Sequence, residues 1–135
     1  MSVMSNREAL ETLYSVDADE IDKLPWEPVP RCPGVHEKTL WGLGDIVEAL
    51  IRFQPNSTTP GVPHLAAHHH IWVVSGAARV AGRRLVAGSY MHVPPGTPHP
   101  VDDVGDDGCT MLQMHRPHAP SEAAWLLADE ARKRR

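Results

Sequence analysis

His64-Leu65-Ala66-Ala67-His68-His69-His70-Ile71-Trp72-Val73-Val74-Ser75-Gly76, followed further on by Gly88-Ser89-Tyr90-Met91-His92-Val93-Pro94-Pro95-Gly96-Thr97-Pro98-His99, decides how this chain is read. Six of the nine histidines fall between positions 64 and 99. Between them lie apolar runs of strand length, cut by glycine and proline. Neutral imidazole is the commonest metal-ligating side chain and suits Zn, Cu, Fe and Ni. Histidines at the ends of short strands converge on one ion even when they are far apart in sequence. The region therefore reads as a metal pocket.

Downstream of this stretch, residues 99–103 restart a strand after the Pro94-Pro95-Gly96 turn. The turn Gly105-Asp106-Asp107-Gly108 leads into the alternating run Cys109-Thr110-Met111-Leu112-Gln113-Met114-His115. Ser121 offers a helix N-cap, and residues 122–134 carry Trp125, Leu126 and Ala128 as a modest apolar face. Within the stretch, residues 70–75, 77–81 and 84–86 are expected as separate strands around a tight turn at Gly82-Arg83, with 90–93 as the next. Upstream, residues 46–53 form a strand, because the run is eight residues long and Gly44 and Pro55 flank it. Residues 35–41 form another, with His36 expected to be exposed. Residues 25–30 contain three prolines, which suits an extended edge segment with Trp26 packed on the body. Residues 6–14 are expected as a short helix or arm and 15–23 as acidic loop. The outcome is eight to ten short strands with helices only at the ends, an all-β sandwich or barrel.

A chain of 135 residues is most simply one domain with one core. Hydrophobic content is 41% and charges of both signs are interspersed. The net charge of −4 gives no support for nucleic-acid or membrane-surface partners. The basic run Arg132-Lys133-Arg134-Arg135 suits a solvated helix C-terminus. The two cysteines, Cys32 and Cys109, form no Cys-x-x-Cys and suit structural thiols in a reducing, cytoplasmic setting. The first residues lack the apolar core of a signal peptide, and no run approaches membrane-span length. No Ser/His/Asp or cysteine-nucleophile constellation and no phosphate loop is evident.

These residues resemble the cupin superfamily, whose small barrels are built around two motifs. The second motif is matched by Gly88, five residues, then Pro94-Pro95-Gly96-Thr97-Pro98-His99, with Asp103 where asparagine is common. In the first motif, Gly76 fits the last glycine, His69 takes the glutamate position and His64 the second histidine position, while Val62 occupies the first. The segment Trp26-Glu27-Pro28 before Pro33-Gly34-Val35 is similar to the cupin domain of certain zinc-binding anti-sigma factors. Ala87-Gly88-Ser89-Tyr90 before Pro94 is similar to small cupin dioxygenases that cleave diketones or hydroxyaryl ketones.

The resemblance implies a double-stranded β-helix, or jelly-roll, barrel over residues 24–118. An arm or short helix over 1–23 precedes it, and a helix over 119–135 follows. It implies one divalent transition metal per chain held by His64, His69 and His99. A one-residue slip of the strand would bring His68 and His70 inward instead of His69. Fe(II) is favoured, with Zn, Ni, Mn or Cu as alternatives. His92, Trp72, Tyr90 and Gln113 are the candidate pocket or supporting residues. The implied function is a metal-dependent oxygenase acting on a small carbonyl or enol substrate; the alternative is a metallo-cupin that binds or senses a small ligand without turnover. A homodimer is expected from the resemblance, since exposed edge strands and an amphipathic terminal helix suit one.

Overall fold

The computed structural model describes residues 5–44, 46–61 and 67–117. In chain order these form α1 (Asn6–Glu11), α2 (Ala18–Lys23), β1 (Glu27–Pro28), β2 (Val35–Leu43), β3 (Ile46–Phe53), β4 (Ala67–Val80), β5 (Arg83–Val86), β6 (Tyr90–Val93), β7 (Val101–Asp102) and β8 (Cys109–Pro117). Every strand pairing is antiparallel, and the order is β1-β2-β3-β8-β4-β5, with β6 and β7 also paired to β4. The strands curl into the double-stranded β-helix expected of a cupin. No helix among the described residues is long and apolar enough to cross a membrane.

β4 organises the barrel. The sequence suggests two strands here, interrupted at Gly76, but a single strand of 14 residues runs through. Its first part pairs with β6 and β8, and its last part with β5 and β7. The register against β8 shifts between Val73 and Ser75, so the strand bends there and passes from one sheet to the other. Gly76 is required at the bend. Its φ is 76°, and a Cβ would fall 2.0 Å from the Gly108 carbonyl oxygen. The turn to β5 is Ala81-Gly82, both at positive φ, one residue earlier than the sequence indicates.

Alternation along the strands fills the interior. Val35, Phe53, Ile71, Val73, Val80, Val93, Val101 and Met111 are all buried in one cluster. Phe53 on β3 lies opposite both Val35 on β2 and Cys109 on β8, so one row of the inner face crosses three strands.

The N-terminal arm departs from the sequence reading. Residues 18–23 are helical, not loop. The Asp17 carboxylate accepts from the Glu20 amide at 2.8 Å, and Asp19 and Glu20 in the first turn suit the helix dipole. Lys38 on β2 is buried beneath this arm, with Nζ donating to the Ile21 carbonyl at 2.9 Å. Trp26 closes the junction: Lys38 Nζ lies 4.7 Å and Arg52 Cζ 4.2 Å from its ring centroid. β1 is the expected proline-containing edge strand. His36, expected to be exposed, is half-buried opposite Arg52. The expected C-terminal helix lies outside the described residues.

Candidate metal centre

The sequence Ile71-Trp72-Val73-Val74 is apolar on both faces of a strand, so it does not say which way β4 faces. The packing does. Ala67, His69, Ile71 and Val73 are buried, while Trp72 is 47% and Val74 51% exposed. His69 therefore points inward, and His68 and His70 lie on the outer face. Pairing carries the same phase to the neighbouring strands. His69 is opposite Val93 on β6 and His115 on β8. Ile71 is opposite Met91 and Gln113, and Val73 is opposite Met111.

His99 reaches the same interior from the loop after β6. Gly96, at φ 79°, turns the chain after Pro94-Pro95. The His99 amide donates to the Gly61 carbonyl at 3.0 Å, which ties this loop to the one preceding β4. The approach is close: a Cβ on Gly61 would lie 2.1 Å from Pro100 N and 2.2 Å from the His99 carbonyl carbon. Nδ1 of His99 lies 3.1 Å from the Thr97 carbonyl oxygen. A carbonyl only accepts, so Nδ1 carries the proton and Nε2 is the basic nitrogen.

Three imidazoles thus meet inside the barrel. The His69 ring centroid is 4.8 Å from that of His99, with the planes at 55°, and 4.7 Å from that of His115, at 64°. His69 and His99 are both buried. Metal–imidazole bonds of about 2.1 Å place ring centroids roughly 3.2 Å from an ion, so two imidazoles bonded at roughly 90–110° lie about 4.6–5.3 Å apart. The observed spacings and crossed planes fit such a donor set. Among the described residues, no group of three or more His, Cys, Asp or Glu side chains is already posed around one point. Closing the set takes a side-chain adjustment, or a further ligand such as His64, which lies outside the described residues.

His115 is the residue the sequence reading passes over, as an exit-strand histidine. The signal was present: Met111, Gln113 and His115 share one face of β8, and Met111 is fully buried. Gln113 also faces the interior, its Nε2 lying 3.8 Å from the Met111 sulfur. Three other expectations are corrected. Trp72, Tyr90 and His92 do not line the barrel, because strand alternation places them on the outer face once Ile71, Met91 and Val93 turn in. There His68 Nδ1 lies 3.1 Å from His92 Nε2, and His70 Nδ1 lies 2.8 Å from the Tyr90 hydroxyl. Asp103, at the asparagine position of the second motif, is at the surface with Arg84 Nη1 3.3 Å from its carboxylate.

Both cysteines are free, and burial pushes the Cys109 thiol up to about 11, with Arg84 pulling weakly the other way. Such a thiol packs and does not react.

The fold agrees with what known proteins share with the chain. No curated protein matches it. Among solved structures, KdgF from a Halomonas species is 25% identical, with 70% of this chain and 90% of that one covered and a TM-score of 0.60. The polyketide cyclase RemF from Streptomyces resistomycificus is 20% identical, covering 80% and 81% at a TM-score of 0.64. A predicted oxalate decarboxylase from Thermotoga maritima is 14% identical, covering 72% and 96% at 0.64. The last two likenesses are likenesses of fold. The sequence itself matches the ChrR cupin-like domain over residues 16–119, most of its length. The chain belongs to the ChrR cupin-like domain family of the cupin superfamily.

Proposed function

We propose that this cupin is a metal-dependent oxygenase acting on a small carbonyl or enol substrate of the diketone type. One divalent transition metal, with Fe(II) favoured over Zn, Ni, Mn or Cu, would be held by His69, His99 and His115, with His64 available as a further ligand. The observation that carries this reading is the meeting of three imidazoles in the barrel interior at ligand-like spacing. Metal binding is common among cupins, which supports it. An ion held there by neutral imidazoles would keep its full double charge and would supply Lewis-acid or redox chemistry toward a small carbonyl or enol substrate.

The chain's own residues supply the rest. Thr97 fixes the tautomer and orientation of His99 through Nδ1. Ile71, Val73, Val93 and Met111 make a dry wall beside the histidines, which strengthens electrostatic interactions there. Gln113, between Ile71 on β4 and Ala49 on β3, is the neutral interior amide that can donate to a substrate oxygen.

A second reading, a metallo-cupin that binds a small ligand without turnover, is favoured by Val62 at the first histidine position and by the ChrR cupin-like match. The test is metal analysis and O₂ uptake on Fe(II)-loaded protein with 2,4-pentanedione and related diketones. Uptake that is lost in His99→Ala together with the metal supports the oxygenase. Stoichiometric metal without uptake gives the binding module. Failure of the wild type to retain any offered metal overturns both.

A further inference from the structure

The histidines that alternation turns outward make a second cluster. His68 and His70 are two apart on β4, and His92 on β6 is directly opposite His70. Side chains in such positions share one face, with directly opposed Cβ atoms about 5 Å apart and diagonal ones within reach of a long side chain. The contacts show that they meet. His68 Nδ1 and His92 Nε2 are 3.1 Å apart. The His70 and His92 ring centroids are 5.1 Å apart, and the planes of the three rings are within 19° for the His70–His92 pair and 14° for the His68–His92 pair. His70 Nδ1 is hydrogen-bonded to the Tyr90 hydroxyl at 2.8 Å.

We propose that His68, His70 and His92 form a second transition-metal site, on the outer β4–β6 surface, for a borderline divalent ion such as Zn²⁺, Ni²⁺ or Cu²⁺. Two nitrogens bound to one ion at about 2.1 Å stand roughly 3.0–3.4 Å apart, and the His68–His92 pair is already at that spacing. Binding replaces the hydrogen bond between them. The His68–His92 centroid separation of 5.3 Å is nearly the N···N distance plus two ring radii, so these rings lie edge to edge and turn about their side-chain bonds to bring both lone pairs to one side. His92 is exposed and His68 and His70 are half-buried, so this turning leaves the core in place. Tyr90 is a positioning residue. In the metal-bound form its hydroxyl oxygen accepts from Nδ1–H of His70, which leaves Nε2 to ligate, as a supporting hydrogen bond does at metal-bound histidines generally. An all-imidazole set selects borderline transition ions over Mg²⁺ and Ca²⁺. The ion would staple β6, a strand of four residues, to β4. This site does not depend on the interior one.

The test is Zn²⁺ titration of the chelator-stripped full chain by calorimetry, with metal analysis, on the wild type and on His68→Ala, His92→Ala, Tyr90→Phe and His99→Ala. Two equivalents in the wild type, one of them lost in His68→Ala and in His92→Ala while His99→Ala keeps it, is the expected result. Tyr90→Phe should weaken that equivalent by at least tenfold. Far-UV circular dichroism checks that the variants fold; Tyr90→Phe, the mildest change, serves alone if an alanine variant does not. In His99→Ala, Zn²⁺ should raise Tm, and the double variant with His92→Ala should lose that rise. An equivalent lost in His92→Ala but kept in His99→Ala, with no other bound, supports the outer site and removes the interior one. A wild type whose bound zinc is lost only in His99→Ala, or that binds none, overturns the outer site.

Discussion

Gly61→Ala should damage the interior site without touching a single histidine side chain. Gly61 sits at φ 62°, and its carbonyl accepts the His99 amide at 3.0 Å. An added Cβ would lie 2.1 Å from Pro100 N, 2.2 Å from the His99 carbonyl carbon and 2.4 Å from Pro100 Cα. These are backbone atoms, so no side chain can swing aside. Restoring an ordinary contact of about 3.5 Å requires the two loops to part by more than about 1 Å. The left-handed conformation costs an alanine roughly 1 kcal/mol, and losing the amide–carbonyl bond costs roughly 1 kcal/mol more. The loss should therefore be at least about 2 kcal/mol before any repacking. It is read as a lower urea midpoint at unchanged slope. His99 moves with its backbone, and a shift of about 1 Å is enough to spoil a ligand's geometry. Metal affinity should fall at least tenfold. Gly82→Ala is the control, since Gly82 has φ 77° but nothing within 4 Å of its added Cβ. It should cost only the conformational part, roughly 1 kcal/mol, and leave metal binding alone. If the two variants lose equal stability, or if Gly61→Ala binds metal like the wild type, the coupling between this glycine and the site is refuted.

Three other outcomes follow from the packing. Phe53→Ala empties the centre of the inner face and should cost about 3–5 kcal/mol in urea unfolding; a loss below about 1 kcal/mol would mean that Phe53 is not core. Trp26→Ala uncovers Lys38 and removes two cation–ring contacts, so unfolding free energy should fall by about 1–3 kcal/mol, with the loss shrinking in a Lys38→Met background. The Cys109 thiol, pushed up to about 11 from an ordinary 9.0, stays protonated in the native state while the unfolded chain ionises. Its contribution is complete below about pH 9 and is lost as pH rises towards about pH 11, so Tm should fall over that window and Cys109→Ala should flatten the fall.

What could be read from the sequence, and what could not, follows from where the local signal is strong. β3 and β6 stand out because glycine or proline bounds a short apolar run on both sides. The second motif places His99 because its glycine and prolines shape the turn before it. β4 was legible only in pieces. Gly76 is punctuation by local rules, and its real reason for being glycine is the Gly108 backbone, 32 residues further on. The facing of His68, His69 and His70 was left open because Ile71-Trp72-Val73-Val74 is apolar on both sides. α2 was hidden because its six residues bury no apolar face and Lys38 reaches Ile21 from across the fold; its one local signal, the Asp17 cap, lies in a stretch that reads as acidic loop. His115 was overlooked because its partner, His69, lies on another strand.

The order β3-β8-β4 has a consequence for how the chain is made. β8, the last strand described, lies in the middle of the sheet and closes the gap between two strands that were synthesised long before it. Phe53 must wait for Cys109 and Val73 for Met111. Until residues 109–117 leave the ribosome, β3 and β4 each present an unpaired edge, and β4 carries the apolar Ile71-Trp72-Val73-Val74 run. Such edges recruit other chains. Folding during synthesis therefore ends in one late insertion step. Nascent or truncated chains lacking β8 should be bound by chaperones or aggregate, whereas a nick at the exposed Ala81-Gly82 turn leaves that insertion intact.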